Sequence, residues 1–297
     1  MRVVVFGGSG FLGSHVADEL TKQGHEVIIF DKQKSRYLQD GQCMIIGDIL
    51  DRQQVFNAVE NCTYVYNYAG IADLDSASTK PVDTVLLNIA GTCNILDACV
   101  EHSVQRFVYA SSFYANSEKG GFYRCSKQSA ELYIEEYERK YGLKYTILRY
   151  GSLYGPRADK NNGMRRMIEK AIKGEIVHCL GAEEDTREYI HVLDAAKLSI
   201  KILETEYINQ HLQLTGQEKY TRKQIMALLG EILNKKLDVM YDGETSELHY
   251  NITPYTYKPH ANFKLVSNCY HDLGQGIIEC IQEMEENADR CELSIYR

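Results

Sequence analysis

The stretch "RVVVFGGSGFLG", residues 2–13, decides the fold. Val3, Val4, Val5 and Phe6 form an unbroken apolar run with no polar alternation, which reads as a strand covered on both faces, as in a parallel sheet. The run passes directly into Gly7-x-x-Gly10-x-x-Gly13, and apolar positions at helical spacing follow over 11–23. At a strand-to-helix turn, such glycines permit a tight bend, let backbone approach a pyrophosphate, and let the helix pack closely on the sheet. Glycines also end strands for steric reasons alone, so context decides. The second strand, 26–31, ends in Asp31, 18 residues after Gly13. A carboxylate there would accept hydrogen bonds from both hydroxyls of an adenine ribose and repel a 2′-phosphate, which favours NAD over NADP. Lys32, Lys34 and Arg36 follow and either tolerate the 2′-phosphate of NADP or, as the favoured reading, form a solvated polar turn. Phe11 and Leu12 beside the glycines, and Asp48 with Ile49 after the third strand, complete the candidate dinucleotide set. Asp48 would meet the adenine edge or cap the next helix.

Outward from this point the pattern alternates. Strands are expected at 43–48, 63–70, 106–112 and 144–155, with helices at 51–60, 84–102 and 122–141. That is an α/β fold with a doubly wound, Rossmann-like parallel sheet. After Pro156 the elements shorten into a basic helix over 163–173, a strand over 175–180, a helix near "VLDAAKL" and a final helix in 273–287. Residues 1–155 are therefore expected to form the dinucleotide-binding domain, with a return segment near 187–203. Residues 156–297 are expected to form a smaller substrate-binding lobe.

The chain has 297 residues and a net charge of -8, which opposes general affinity for nucleic acid or an anionic membrane. Its nine cysteines show no Cys-x-x-Cys pair or metal-ligand spacing and read as reduced thiols in a reducing compartment, by default the cytoplasm. With 22 tyrosines, a lone tyrosine means little; most are packing residues.

"GGSGFLG", "GDI", "NYAG", "NIAGTCNILDAC", "YASS", "YRCSK", "LRYGSLYGPR" and "TREYIHVLDAA", in this order, resemble the extended short-chain dehydrogenase/reductase family, specifically its NAD-dependent nucleotide-sugar epimerases and dehydratases. The resemblance covers roughly the first 200 residues. It implies a catalytic group of Asn88, Ser112, Tyr123 and Lys127, with Tyr123 and Lys127 also against the cofactor. It further implies Arg187 on a sugar-nucleotide pyrophosphate, Tyr189 beside it, and Ser152 in the sugar-phosphate crevice where the family usually has asparagine. The chemistry fits these residue types. A phenol ionises about 3 units above neutral, costing about 4 kcal/mol as a base unless a nearby charge holds the phenolate. Lys127, four residues after Tyr123, shares its helical face, and an ammonium within about 4 to 6 Å lowers such a pKa by about 1 to 3 units. Ser112 would orient the same substrate hydroxyl, and Asn88 would organise water or backbone near Lys127. A homodimer through helices 84–102 and 122–141 is a further implication.

Three departures shape the expectation. Eleven positions separate Ser112 from Tyr123, so the sugar loop is short and the pocket more open. Phe113 and Tyr114 stand where dehydratases carry an acidic pair and decarboxylases a glutamate, which disfavours dehydration. The base-clasping motif near the C-terminus is replaced by "TPYTYKPHANFKL", where Lys258 and His260 are candidates for replacement charge, against simple loop packing. Arg165 and Arg166, on the helix after "NNG", face either the substrate or solvent, with solvent the favoured reading. The leading expectation is oxidation at carbon 4 of a nucleotide sugar by a 4-epimerase. A 4-dehydrogenase or ketosugar reductase is the nearer alternative, and a non-catalytic dinucleotide sensor the more distant one.

Overall fold

The computed structural model describes residues 1–243, 249–251, 263–265 and 271–295. Alternation along the first strand, Arg2–Phe6, sends Val3 and Val5 into one apolar cluster and Val4 and Phe6 into another. The first cluster holds Leu12, Val16, Ala17 and Leu20 of helix Phe11–Lys22, with Ala195 and Ala196 of helix Val192–Lys201. The second holds Val55, Ala58 and Val59 of helix Arg52–Val59, with Ile95, Leu96 and Cys99 of helix Gly91–Glu101. With both faces covered, the strand must be apolar throughout.

The main sheet has eight strands, all paired in parallel. From one edge they run Phe263–Leu265, Gln210–Leu214, Tyr145–Tyr150, Arg106–Ser112, Tyr64–Asn67, Arg2–Phe6, Glu26–Asp31 and Gln42–Ile46. The order reverses direction at Arg2–Phe6, which lies between Tyr64–Asn67 and Glu26–Asp31. A crevice opens beyond the strand ends at such a reversal.

Several boundaries differ from the pattern reading, each for a local reason. The third strand ends at Ile46, leaving Asp48 in a turn. The helix expected at 84–102 starts at Pro81, whose fixed φ suits a first helical position, and passes through a π-helical turn over Leu86–Ala90. It is the one described helix long and apolar enough to cross a membrane, yet its Ile95, Leu96, Ala98 and Cys99 lie in the core. The segment 144–155 is two strands, Tyr145–Tyr150 and Ser152–Tyr154, parted at Gly151, where the chain leaves the main sheet to pair Ser152 with Tyr189. A Cβ on Gly151 would stand 2.8 Å from Thr215 Oγ1.

The boundary expected at 155 does not divide the sheet, because Gln210–Leu214 and Phe263–Leu265 return to it. Strand 210–214 carries no apolar run because two of its buried residues, His211 and Gln213, are polar. His211 joins a buried network: Arg149 Nη2 lies 3.2 Å from its Nδ1 and donates to Glu131 Oε2 at 2.6 Å, and Glu135 Oε1 lies 3.1 Å from its Nε2. The smaller lobe has its own core of Met164, Met167, Ile168, Ala171, Ile225, Leu229 and Ile277.

Candidate active site

The glycine turn closes as its spacing requires. Gly7 has φ +75, and a Cβ there would stand 2.6 Å from Ala69 N; one on Gly13 would stand 2.3 Å from Gly7 O. Helix and strand therefore meet at a distance that only glycine allows, and the cradle fits a dinucleotide pyrophosphate. Asp31 braces the turn: its Oδ2 accepts from Ser9 N at 3.1 Å and its Oδ1 from Gln33 N at 3.1 Å.

A crevice of about 960 Å³ runs from this turn across the strand ends. Gly7, Gly10, Phe11, Leu12, Ser112, Tyr123, Lys127, Ser152, Arg187 and Tyr189 all line it. Four expected residues do not: Asp31, which is the brace of the turn just described, and Asp48, Ile49 and Asn88. Asp48 is paired with Lys32, its Oδ2 3.1 Å from the ammonium, and accepts from Leu50 N at 2.9 Å. Ile49 is 5% exposed and is a core side chain, against which Gly91 packs so closely that a Cβ would meet it at 2.5 Å. Asn88 is also buried. Its Oδ1 accepts from Ile71 N at 2.7 Å, and its Nδ2 donates to Ile71 O and to Ser126 Oγ, both at 2.9 Å. Ser126 Oγ in turn donates to Tyr123 O at 2.8 Å, so Asn88 positions the backbone under Tyr123. Its place in the π-helical turn lets it face that loop.

Ser112 ends strand Arg106–Ser112, and its hydroxyl meets that of Tyr123. Gly120, at φ +103, turns the chain into helix Gly121–Tyr141. Lys127 Nζ donates to Ala110 O at 2.7 Å and stands 4.7 Å from the Tyr109 ring centroid and 5.7 Å from that of Tyr123. Burial pushes the Tyr123 phenol up to about 12, against the hydrogen bond from Ser112. Burial pushes Lys127 down to about 8, against the pull of the Glu131 carboxylate one turn further along. In the ligand-free chain the lysine thus loses its proton before the phenol does. If the ammonium stays charged, its attraction for a phenolate at about 6 Å and an effective dielectric of about 20 is about 3 kcal/mol, or about 2 pKa units. That cancels the burial shift and leaves the phenol near its ordinary value. A neutral-pH base needs a further positive charge.

The substrate end of the crevice is less open than its short loop implies. Phe113–Asn116 forms a 3-10 turn that presents Tyr114. Its ring centroid lies 4.7 Å from that of Tyr250 and 6.1 Å from that of Tyr123, and its hydroxyl is 2.8 Å from His249 Nδ1. Arg187 lies over the Tyr250 ring at 3.9 Å, and its buried Nη1 makes no hydrogen bond with a described residue. A guanidinium with a spare donor suits an oxyanion. Arg222 and Arg166 add positive charge to the same lining. Arg165 is instead tied to Glu169 at 2.8 Å and to Ala158 O at 2.6 Å. Arg166 lines the crevice, which fits the substrate-facing alternative rather than the solvent one. His249 and Tyr250 carry no sequence signal, since no motif precedes them, and Tyr114, which replaces an acid in the sequence pattern, is a wall of the pocket. Residues 252–262, with Lys258 and His260, lie outside the described residues.

The fold and this crevice define a dinucleotide-dependent enzyme class, and comparison with known proteins identifies it. Residues 3–214 match the model of the NAD dependent epimerase/dehydratase family, and the chain belongs to that family. It is 30% identical over 244 residues, 73% of this chain and 75% of the relative, to a UDP-N-acetyl-alpha-D-glucosaminuronate decarboxylase of Bacillus cytotoxicus. Among solved structures, UDP-glucose 4-epimerase of Thermotoga maritima with UDP-glucose superposes with a TM-score of 0.83 at 24% identity, covering 97% of this chain and 100% of that one. UDP-glucuronic acid 4-epimerase of Bacillus cereus, in complex with UDP-glucuronic acid and NAD, gives 0.86 at 21% identity, covering 96% and 99%.

Burial of the Lys127 ammonium has a measurable consequence. Below pH 8 the group is charged in both folded and unfolded chains, and only the folded chain bears its desolvation. A fall from 10.5 to about 8 corresponds to about 3 kcal/mol of destabilisation. That effect is full below pH 8 and is lost as pH rises from the folded value to the unfolded one. Lys127→Met is expected to raise the melting temperature at pH 7 in scanning calorimetry, with the gap closing toward pH 10.5; a gap independent of pH would contradict this origin.

Proposed function

We propose that the chain is an NAD-dependent 4-epimerase of nucleotide-activated sugars. The observation that carries this reading is one continuous crevice joining the glycine turn, the Ser112–Tyr123–Lys127 group and Arg187. Arg187, with Arg222 and Arg166 near it, takes the diphosphate, and Tyr189 and Ser152 flank it. Ser112 orients the hydroxyl on carbon 4, and Tyr123 accepts its proton. NAD, which Gly7, Gly10, Phe11 and Leu12 at the glycine turn would hold, would supply a hydride acceptor and donor and, when oxidised, the further positive charge that the phenol requires. Between the two transfers the 4-keto sugar turns over in the pocket, and Tyr123 returns the proton to the new alcohol. Tyr114 stands where dehydratases and decarboxylases of the family carry acids. A phenol held well above its ordinary pKa by burial gives those reactions no carboxylate at this position.

Incubation with UDP-sugars and NAD is expected to give the C4 epimer, followed by NMR, without net NADH. Stoichiometric NADH would contradict the epimerase reading and favour a 4-dehydrogenase. Tyr123→Phe is expected to lower turnover by about a thousand-fold or more, within the range for general acid–base groups, while NAD affinity stays within a few-fold. Normal turnover in that variant would remove Tyr123 from the chemistry, and a chain that binds NAD but converts no sugar would favour the sensor reading.

The protein is further read as a cytoplasmic homodimer. The seven described cysteines are all free thiols, which supports a reducing compartment. Val82, Val85 and Leu86, at i, i+3 and i+4, are 69%, 52% and 43% exposed, and Phe122, Leu132 and Tyr133 of the neighbouring helix are 52%, 62% and 49% exposed. Two long helices presenting apolar side chains to solvent support a paired face. Sedimentation equilibrium is expected to give a dimer that Val85→Glu with Leu132→Glu converts to monomer; a monomeric wild type would contradict it.

A further inference from the structure

Strand Thr186–His191, which carries Arg187 and Tyr189 to the crevice, ends in a histidine that the proposed chemistry does not use. His191 is 2% exposed, and neither Nδ1 nor Nε2 makes a hydrogen bond with a described residue. A neutral imidazole has one N–H to donate and one lone pair to offer, so burial with neither satisfied calls for a partner. Two candidate ligands face it. His191 Nε2 lies 3.3 Å from Glu279 Oε2, and the His271 ring lies beside it with centroids 4.5 Å apart. One donor atom from each of His191, His271 and Glu279 falls within 4.8 Å of the others.

The outer contacts have the form that metal sites use. His271 Nδ1 is 2.8 Å from Asp194 Oδ1, and His271 N donates to Asp194 Oδ2 at 2.7 Å. A carboxylate accepting from Nδ1–H fixes the tautomer and leaves the Nε2 lone pair for a ligand. Asp194 is itself buried, in the first turn of helix Val192–Lys201. A cavity of about 40 Å³, lined by His191, Asp194, His271 and Tyr189, adjoins the group and can hold a water as a further ligand.

We propose that His191, His271 and Glu279 bind one divalent transition-metal ion, with Asp194 orienting His271. Two imidazoles and one carboxylate select zinc over magnesium or calcium, which prefer all-oxygen sets. The ion would join the strand bearing Arg187 to the helix Leu273–Ile295, and its role is to hold the crevice wall.

The test uses the full chain stripped with a chelator. Zinc is titrated by calorimetry and by melting temperature, and cobalt(II) is added as a spectroscopic probe. One zinc per chain, a zinc-dependent rise in melting temperature and a cobalt spectrum without thiolate charge transfer are expected. His271→Ala and Glu279→Gln should each lose the zinc-dependent rise, and Asp194→Asn should weaken binding by about ten- to a hundred-fold. Glu279 is partly exposed on its helix, so its isosteric variant keeps the test valid if His271→Ala fails to fold. Undiminished binding in Glu279→Gln, no zinc-dependent rise, or a thiolate band pointing to exposed Cys43 or Cys125 would overturn the proposal.

Discussion

The Lys127 ammonium is buried with its Nζ on the Ala110 carbonyl and close to the Tyr109 and Tyr123 rings, and the site is built around keeping that charge there. A lone ammonium in such a place would shed its proton. Glu131, one helical turn on, opposes this, and it is itself held by Arg149 at 2.6 Å and by the Ser111 hydroxyl at 2.5 Å. Arg149 and Ser111 belong to adjacent strands of the main sheet, paired in register with each other. The ends of these two strands, the network across them and the helix that carries Tyr123 and Lys127 therefore form one electrostatic unit, to which His211 ties the late strand 210–214.

This unit sets what the tyrosine can do. Burial raises the phenol by about as much as a charged lysine would lower it, so the two effects nearly cancel. The ligand-free protein accordingly holds a resting acid beside a resting lysine. On the proposed chemistry, Tyr123 would act as a base only with additional positive charge next to the ring, which would link base strength to cofactor binding.

Much of this was legible in the chain. Val3 to Phe6 announced a strand covered on both faces, and the glycine spacing announced a contact closer than any Cβ permits. Tyr123 and Lys127 share a face by their spacing, and Ser112 ends its strand. What stayed hidden depends on tertiary partners. Strand 210–214 buries His211 and Gln213 in place of an apolar row, so periodicity could not reveal it. Asn88 takes its role from a π-helical turn that no propensity marks. Ile49 reads like a cofactor neighbour until Gly91 is seen packed against it, and Asp48 until Lys32 is seen neutralising it. His249 and Tyr250 reach the crevice only through the path of the chain, and Tyr114 faces them as the wall of a pocket that the short loop had suggested was open.

The most direct measurement of the central claim is an NMR titration of tyrosine ring carbons, with Tyr123 assigned by its loss in the phenylalanine variant. The ligand-free protein should ionise this ring at about 12, and saturation with oxidised NAD should bring it below the ordinary phenol value of about 10. A Tyr123 signal that stays at about 12 in the saturated, turning-over enzyme would contradict the account.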